Sequence, residues 1–238
     1  MTDRNTLLHR IARRIPGGMA LARRARRLLD PELRTVERLR RTHGDQLLQP
    51  FPDTYPERYP QLFDALAERL SPLPAPRILS FGCSSGEEVR AMRQRLPQAR
   101  IVGIDLNPRM IAKARAADPD GDYRIAAAPE PEERFDAILA LAVFRHGVLE
   151  AERPERCSDV LPFSRFADGV AMLDRALGPG GWLALWYNHY RFADTPSAPG
   201  YDTDPWRMSD RRPLDLLWGA DDRRMHGVTE SAILFRKR

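Results

Sequence analysis

Seven consecutive residues, Gly82-Cys83-Ser84-Ser85-Gly86-Glu87-Glu88, carry the strongest chemical signal in this chain. The apolar run Ile78, Leu79 and Phe81 leads into them, and a helix-forming stretch opens behind the two glutamates. A strand that turns through small residues into a helix brings bare backbone and N–H groups up to a ligand. A dinucleotide fingerprint places its glycines at relative positions one, three and six. Here they fall at one and five, with Ser84 at three. Glu87 and Glu88 suit the positive end of a helix dipole but repel a phosphate. The loop is therefore either a cradle for a cofactor without phosphate at this point or a plain strand-to-helix turn.

The elements around it favour the cradle. Arg100-Ile-Val-Gly-Ile-Asp105 is a second buried strand, and between the strands Val89, Met92 and Leu96 share one helical face that Pro97 closes. Asp105 follows Gly86 by nineteen residues, the separation at which an acid in such a βαβ unit meets ribose hydroxyls. The competing job for Asp105 is to cap the helix that opens near Pro108.

In this arrangement the chain resembles the class I S-adenosylmethionine-dependent methyltransferases. The family's acid-x-Gly-x-Gly-x-Gly motif is matched by Ser80-Phe81-Gly82-Cys83-Ser84-Ser85-Gly86. The resemblance implies S-adenosylmethionine as cofactor, with Ser80, Gly82, Cys83, Ser84 and Gly86 around its methionine part. It also implies Asp105 on the ribose, Leu106 against the adenine, and Ala127 and Leu141 beside the cofactor after strand three and on strand four. Two serines depart from the pattern: Ser80 replaces the acid and Ser84 the middle glycine. A hydroxyl keeps the hydrogen bond to the cofactor's ammonium group but loses the charge contribution. Ala126 to Ala128 stand where the family often holds the adenine amine with an acid, which leaves that work to backbone groups.

Later landmarks follow in the family's order. Asp122 to Ala127 is a third strand and Phe135 to Ala142 a fourth. Phe166, Val170, Leu173 and Leu177 mark a helix, and Gly178-Pro179-Gly180-Gly181 is a turn into strand five. Pro213 to Trp218 and Gly227 to Phe235 are expected as closing strands, with Phe192 to Arg212 a loop or lid over the acceptor. The resemblance implies an α/β, Rossmann-like, seven-stranded, mostly parallel sheet, its last strand antiparallel, flanked by helices. Residues 61–238 are expected to form this methyltransferase domain, preceded by a basic helical extension and Pro-rich linker over 1–60.

The acceptor is expected to be a small molecule. The Asn/Asp-Pro-Pro-aromatic motif of amino-group methyltransferases is absent, and Val143-Phe144-Arg145-His146-Gly147 follows strand four. His146 is the candidate general base, since histidine titrates near neutrality; a locally hydrogen-bonded His146 is the alternative. Trp186 to Arg191, and Tyr55 and Tyr59, either wall the acceptor pocket or pack as ordinary aromatics. A non-catalytic, cofactor-binding docking protein is the competing function, motivated by the missing acids.

Composition fits a chain with one sizeable core: 238 residues, 42% of them hydrophobic. No stretch approaches the roughly 18 uninterrupted apolar residues of a membrane span, and the N-terminus lacks a signal-peptide h-region. A cytoplasmic location is expected. Cys83 and Cys157 are too few for a disulfide framework, and the scattered histidines suggest no metal site. Charge is uneven. Residues 1–41 hold twelve arginines against four acids, a balance of +8 against +5 for the whole chain, so the rest carries −3. This segment is expected as three helices, around Leu7–Ile15, Met19–Leu29 and from Pro31. They serve as a cap over the domain, a dock for an anionic membrane surface, a nucleic-acid contact or an Arg-rich targeting peptide. The lack of aromatics there argues against nucleic acid.

Overall fold

The computed structural model describes residues 31–44, 47–49 and 54–238. The helices expected over Leu7–Ile15 and Met19–Leu29 lie outside the described residues, as does most of the basic segment. The chain divides into two compact units, residues 1–44 and 45–238. The first contains α1 (Pro31–His43), the third expected helix, which ends on Arg40, Arg41 and His43, cations that favour the negative end of a helix.

The second unit is built on a seven-stranded sheet. In chain order its main elements are α2 (Pro60–Leu70), β1 (Arg77–Phe81), α3 (Glu87–Arg95), β2 (Arg100–Asp105), α4 (Pro108–Ala117), β3 (Asp122–Ile125), β4 (Phe135–Leu141), α5 (Gly147–Glu152), α6 (Phe163–Ala176) and β5 (Leu177–Trp186). Then come β6 (Tyr201–Thr203), a hairpin of β7 (Leu217–Trp218) and β8 (Arg224–Met225), and β9 (Leu234–Lys237). The sheet order is β3-β2-β1-β4-β5-β9-β6. Neighbours from β3 to β5 pair parallel, while β9 runs antiparallel to both β5 and β6.

Alternation along each strand divides the core. Ile78, Ile101 and Leu139 join Leu66 and Met92 in one apolar cluster, whereas Leu79, Val102 and Ile138 join Phe166 and Leu173 in the other. No helix among the described residues is long and apolar enough to cross a membrane.

Three expectations are corrected. The seventh, edge position of the sheet belongs to Tyr201–Thr203, inside the segment expected as a loop or lid. Leu217 and Trp218 pair with β8 outside the main sheet, and the last strand starts at Leu234 rather than near Gly227. Gly178 to Gly181 do not precede strand five but lie within it. Phe135 pairs with Leu177 and Ala137 with Trp182, so the glycine run bulges out between two registered pairs, as extra residues in a ladder must.

Candidate cofactor cradle and acceptor cleft

The cradle lies beyond the carboxyl ends of β1 and β4, where the strand order reverses, the place at which open α/β sheets hold ligands. Between β1 and α3 the backbone turns through the left-handed region three times, at Gly82 (φ 72°), Ser84 (49°) and Gly86 (84°). The N–H groups of Gly82 and Cys83 both donate to Ile104 O, at 2.9 and 3.0 Å, which ties the loop to β2. No side chain caps α3, so its first N–H groups face the loop.

Asp105 completes the tie. Its Oδ2 accepts from Ser84 N at 2.9 Å and its Oδ1 from Asn107 N at 2.7 Å. Capping of α4 falls instead to Asn107, whose side chain accepts from Arg109 and Met110 N–H, with Pro108 opening the helix. Burial pushes the Asp105 carboxyl above the usual carboxylate range, against the pull of the two N–H donors. Ser84 Oγ is buried and has no hydrogen-bond partner, a state that costs about 1–3 kcal/mol unless something else meets it.

The other expected cofactor residues divide by what they offer. Ser80 is buried, and its hydroxyl donates to Glu88 Oε2 at 2.9 Å. The Cys83 thiol points inward: a Cβ at Gly103 would lie 2.9 Å from its sulfur, and burial raises its pKa. Only the Cys83 backbone faces the loop's partners. Leu106 and Ala127 are half-buried just past β2 and β3. Leu141 sits in the apolar cluster on one sheet face, paired with Trp186.

Glu88 was not anticipated as a site residue. The two glutamates of α3 do different work. Glu87 accepts from Ser85 Oγ and pairs with Arg90 at 3.4 Å. Glu88 turns back over the loop to Ser80, the residue that stands in place of the acid. It keeps a little exposed surface, yet burial pushes its pKa up to about 7, opposed by the Ser80 hydroxyl and by the positive charge of Arg58. Arg58 stacks near Tyr55, Tyr59 and Tyr187, at 5.6, 5.3 and 6.0 Å from their ring centres. Tyr59 is in the core, while Tyr55 is exposed.

Beyond the carboxyl end of β5 lies a cleft of about 370 Å³, lined among others by Glu150, Arg153, Tyr187, Asn188, His189 and Arg212. Tyr187 lines this cleft and also lies 6.0 Å from Arg58, whose charge acts on Glu88, while the guanidinium of Arg145 stacks 3.9 Å from its ring centre. Arg145, only 9% exposed, forms an ion pair with Glu150. His146 is a helix cap: its Nδ1 accepts from Val148 N at 3.2 Å at the start of α5. That bond puts the proton of the neutral ring on Nε2. His189 is buried with its ring edge-on to Trp218. Its Nδ1 lies 3.3 Å from Leu216 O and its Nε2 3.4 Å from His146 O. Burial lowers its pKa to about 4. No group of His, Cys, Asp and Glu among the described residues is arranged to hold a metal ion.

A mostly parallel sheet with a β1–loop–α3 cradle at its order reversal, and an acid ending β2, defines the Rossmann-like methyltransferase architecture. The chain belongs to the methyltransferase-domain family, whose model matches residues 54–226. Two curated relatives, both trans-aconitate 2-methyltransferases of Escherichia coli, match parts of it. One, from strain O1:K1, is 43% identical over 67 residues, 27% of each chain. The other, from strain O7:K1, is 34% identical over 98 residues, 33% of this chain and 39% of the relative. The matches thus span well under half the length of these relatives. Among solved structures, magnesium protoporphyrin IX methyltransferase from Synechocystis PCC 6803 shares the fold, with a TM-score of 0.50 over 88% of this chain and 98% of that one, at 14% identity.

Proposed function

We propose that this chain binds S-adenosylmethionine in the Gly82–Gly86 cradle and transfers its methyl group to a small molecule in the adjoining cleft. The observation that carries this reading is the junction of loop and second strand, where the Asp105 carboxylate meets Ser84 N–H. The residues fit the cofactor. Gly82 and Gly86 take the left-handed turns that fold the loop between β1 and α3, Ser84 Oγ is buried with its hydrogen-bonding capacity unused, and the Glu88 carboxylate supplies the negative charge that Ser80 lacks for an ammonium group. Two glutamates in the first turn of α3 disfavour a phosphate-bearing cofactor there.

When bound, S-adenosylmethionine supplies a methyl group made electrophilic by its sulfonium. The chain's own contribution is mostly placement. Asp105 retains lone pairs for ribose hydroxyls beyond those taken by Ser84 and Asn107 N–H, Leu106 and Ala127 offer half-buried apolar surface on the adenine side, and Leu141 backs the site from the core. Holding two reactants in line is worth roughly 7–11 kcal/mol, whereas a general base adds about 10²- to 10⁴-fold. His146 can serve as that base only by releasing Val148 N–H from Nδ1. A small acceptor agrees with the relatives named for trans-aconitate methylation.

Titration calorimetry with S-adenosylmethionine and with S-adenosylhomocysteine tests the reading. Saturable binding of both is expected, and no heat at millimolar cofactor would overturn it. Asp105→Ala should weaken cofactor binding by about 1–3 kcal/mol and lower the denaturant midpoint of the free protein, because two backbone N–H groups lose their acceptor. Undiminished cofactor affinity in that variant would mean the ribose lies elsewhere.

A further inference from the structure

The cleft beside Tyr187 has a charge pattern that the cofactor site does not account for. Arg153 and Arg212, far apart in sequence, line it together. Neither guanidinium makes an ion pair or hydrogen bond with the described residues. Arg153 is held by an unusual backbone: it ends α5 in the left-handed region at φ 47°. Of the acids in the cleft, Glu150 is matched by Arg145, and Asp215 lies exposed at the rim. With Glu150 matched by Arg145, which is not part of the lining, Arg153 and Arg212 exceed Asp215 by one positive charge, on side chains whose planar forks match carboxylate oxygens.

The same cleft lacks a histidine placed as a base. Histidine is the side chain best matched to proton abstraction at neutral pH. His189, the histidine in the lining, has both ring nitrogens aimed at carbonyl oxygens, Leu216 O and His146 O. Burial lowers its pKa against the two carbonyl contacts, which pull it up. His146 has Nδ1 engaged by Val148 N–H. An acceptor that must lose a proton to react, such as an alcohol or an ammonium group, would find no histidine placed to take it, only the ion-paired Glu150 and the exposed Asp215.

Resting on the methyltransferase reading, we infer that the cleft binds a small carboxylic acid in its ionised form through Arg153 and Arg212, and that the product is its methyl ester. One carboxylate oxygen of the acceptor shares a lone pair with the methyl carbon, the carbon–sulfur bond breaks, and sulfur keeps the pair from that bond as a neutral thioether. No proton changes hands, so the absence of a placed histidine carries no penalty.

The test uses the full chain, methyl-labelled S-adenosylmethionine and the small-molecule fraction of a cell extract, with trans-aconitate and citrate as defined probes. Esters release labelled methanol in mild alkali, whereas N-, C- and ether-methyl groups do not. Alkali-volatile label is expected, and it should fall at least tenfold in the variants R153Q and R212Q while calorimetry gives an unchanged cofactor Kd. Alkali-stable label would overturn the carboxylate acceptor and leave the methyltransferase reading standing. So would equal transfer by the variants, or no transfer to any of these acids by a protein that binds the cofactor. Failure to bind the cofactor at all would instead remove the underlying reading.

Discussion

Gly86→Ala should destabilise the protein by about 2–5 kcal/mol, combining about 1–2 for a left-handed non-glycine residue with about 1–3 for overpacking. Gly86 holds φ 84°, and a Cβ there would lie 2.7 Å from both the Cε1 and the hydroxyl of Tyr123. That ring cannot swing aside cheaply. It is buried, and its hydroxyl donates to Asp118 Oδ2 at 2.7 Å, which Arg93 holds in turn at 2.7 Å. Cofactor affinity should fall about thirtyfold or more if binding has to restore the native turn, at about 1.4 kcal/mol per tenfold. Gly82→Val acts in the same direction, since a Cβ at Gly82 would lie 2.6 Å from Val143 Cγ2. Gly180 is the internal control: it shares a positive φ of 72°, but a Cβ there meets nothing within 4 Å. Gly180→Ala should therefore carry only the conformational part. Urea unfolding of the three variants measures the difference, and equal losses at Gly86 and Gly180 would refute the steric argument.

The second large effect is a hidden pH dependence. His189 is neutral in the fold, with its pKa lowered by burial from 6.5 to about 4. Its contribution is present above pH 6.5 and lost as pH falls through 4, a change of about 3 kcal/mol at 1.36 kcal/mol per unit. Glu88 runs the other way. Its pKa rises from 4.5 to about 7, so its contribution is full below pH 4.5 and lost as pH climbs through 7. Between these limits the two nearly cancel, and the intact protein should show a shallow stability profile from pH 7 to 4.5. Glu88→Gln should uncover the acid loss of His189 and make the free protein more stable than the parent above pH 7, while weakening cofactor binding. His189→Phe should uncover the opposite slope. Thermal melts across this range decide it: parallel profiles for parent and Glu88→Gln would show that Glu88 does not titrate as described.

What the sequence disclosed depended on how much of each signal is local. Ile78 to Phe81, Ile101 to Ile104 and Phe135 to Leu141 are mostly apolar runs, so three central strands and the loop between the first two were legible. Tyr201-Asp202-Thr203 was not, because three residues with two exposed leave no alternation to read; pairing with β9 makes it a strand. The glycine run in β5 looked like a turn because its flanking registry with β4 is a tertiary fact. Glu88 was legible only as a helix-dipole acid. Its reach to Ser80 depends on the left-handed turns between them, since eight residues separate the two in sequence. The cleft is less legible still: Glu150, Arg153, His189 and Arg212 come from four segments joined only by the fold.

The two outermost strands bear on how this protein survives at high concentration. An open sheet leaves a row of unpaired backbone groups at each border, an invitation for another copy to add a strand and begin aggregation. At one border β6 is only three residues long and is flanked by Pro199 and Pro205, with Asp202 bound to Arg238 at 2.8 Å. At the other, β3 projects Arg124, paired with Asp122 at 2.6 Å and Glu133 at 3.0 Å. Shortness and proline protect one side, and charge protects the other. Ile125, 54% exposed at the end of β3, is the one apolar gap in that defence, and the place where a change to lysine should raise solubility without touching the core.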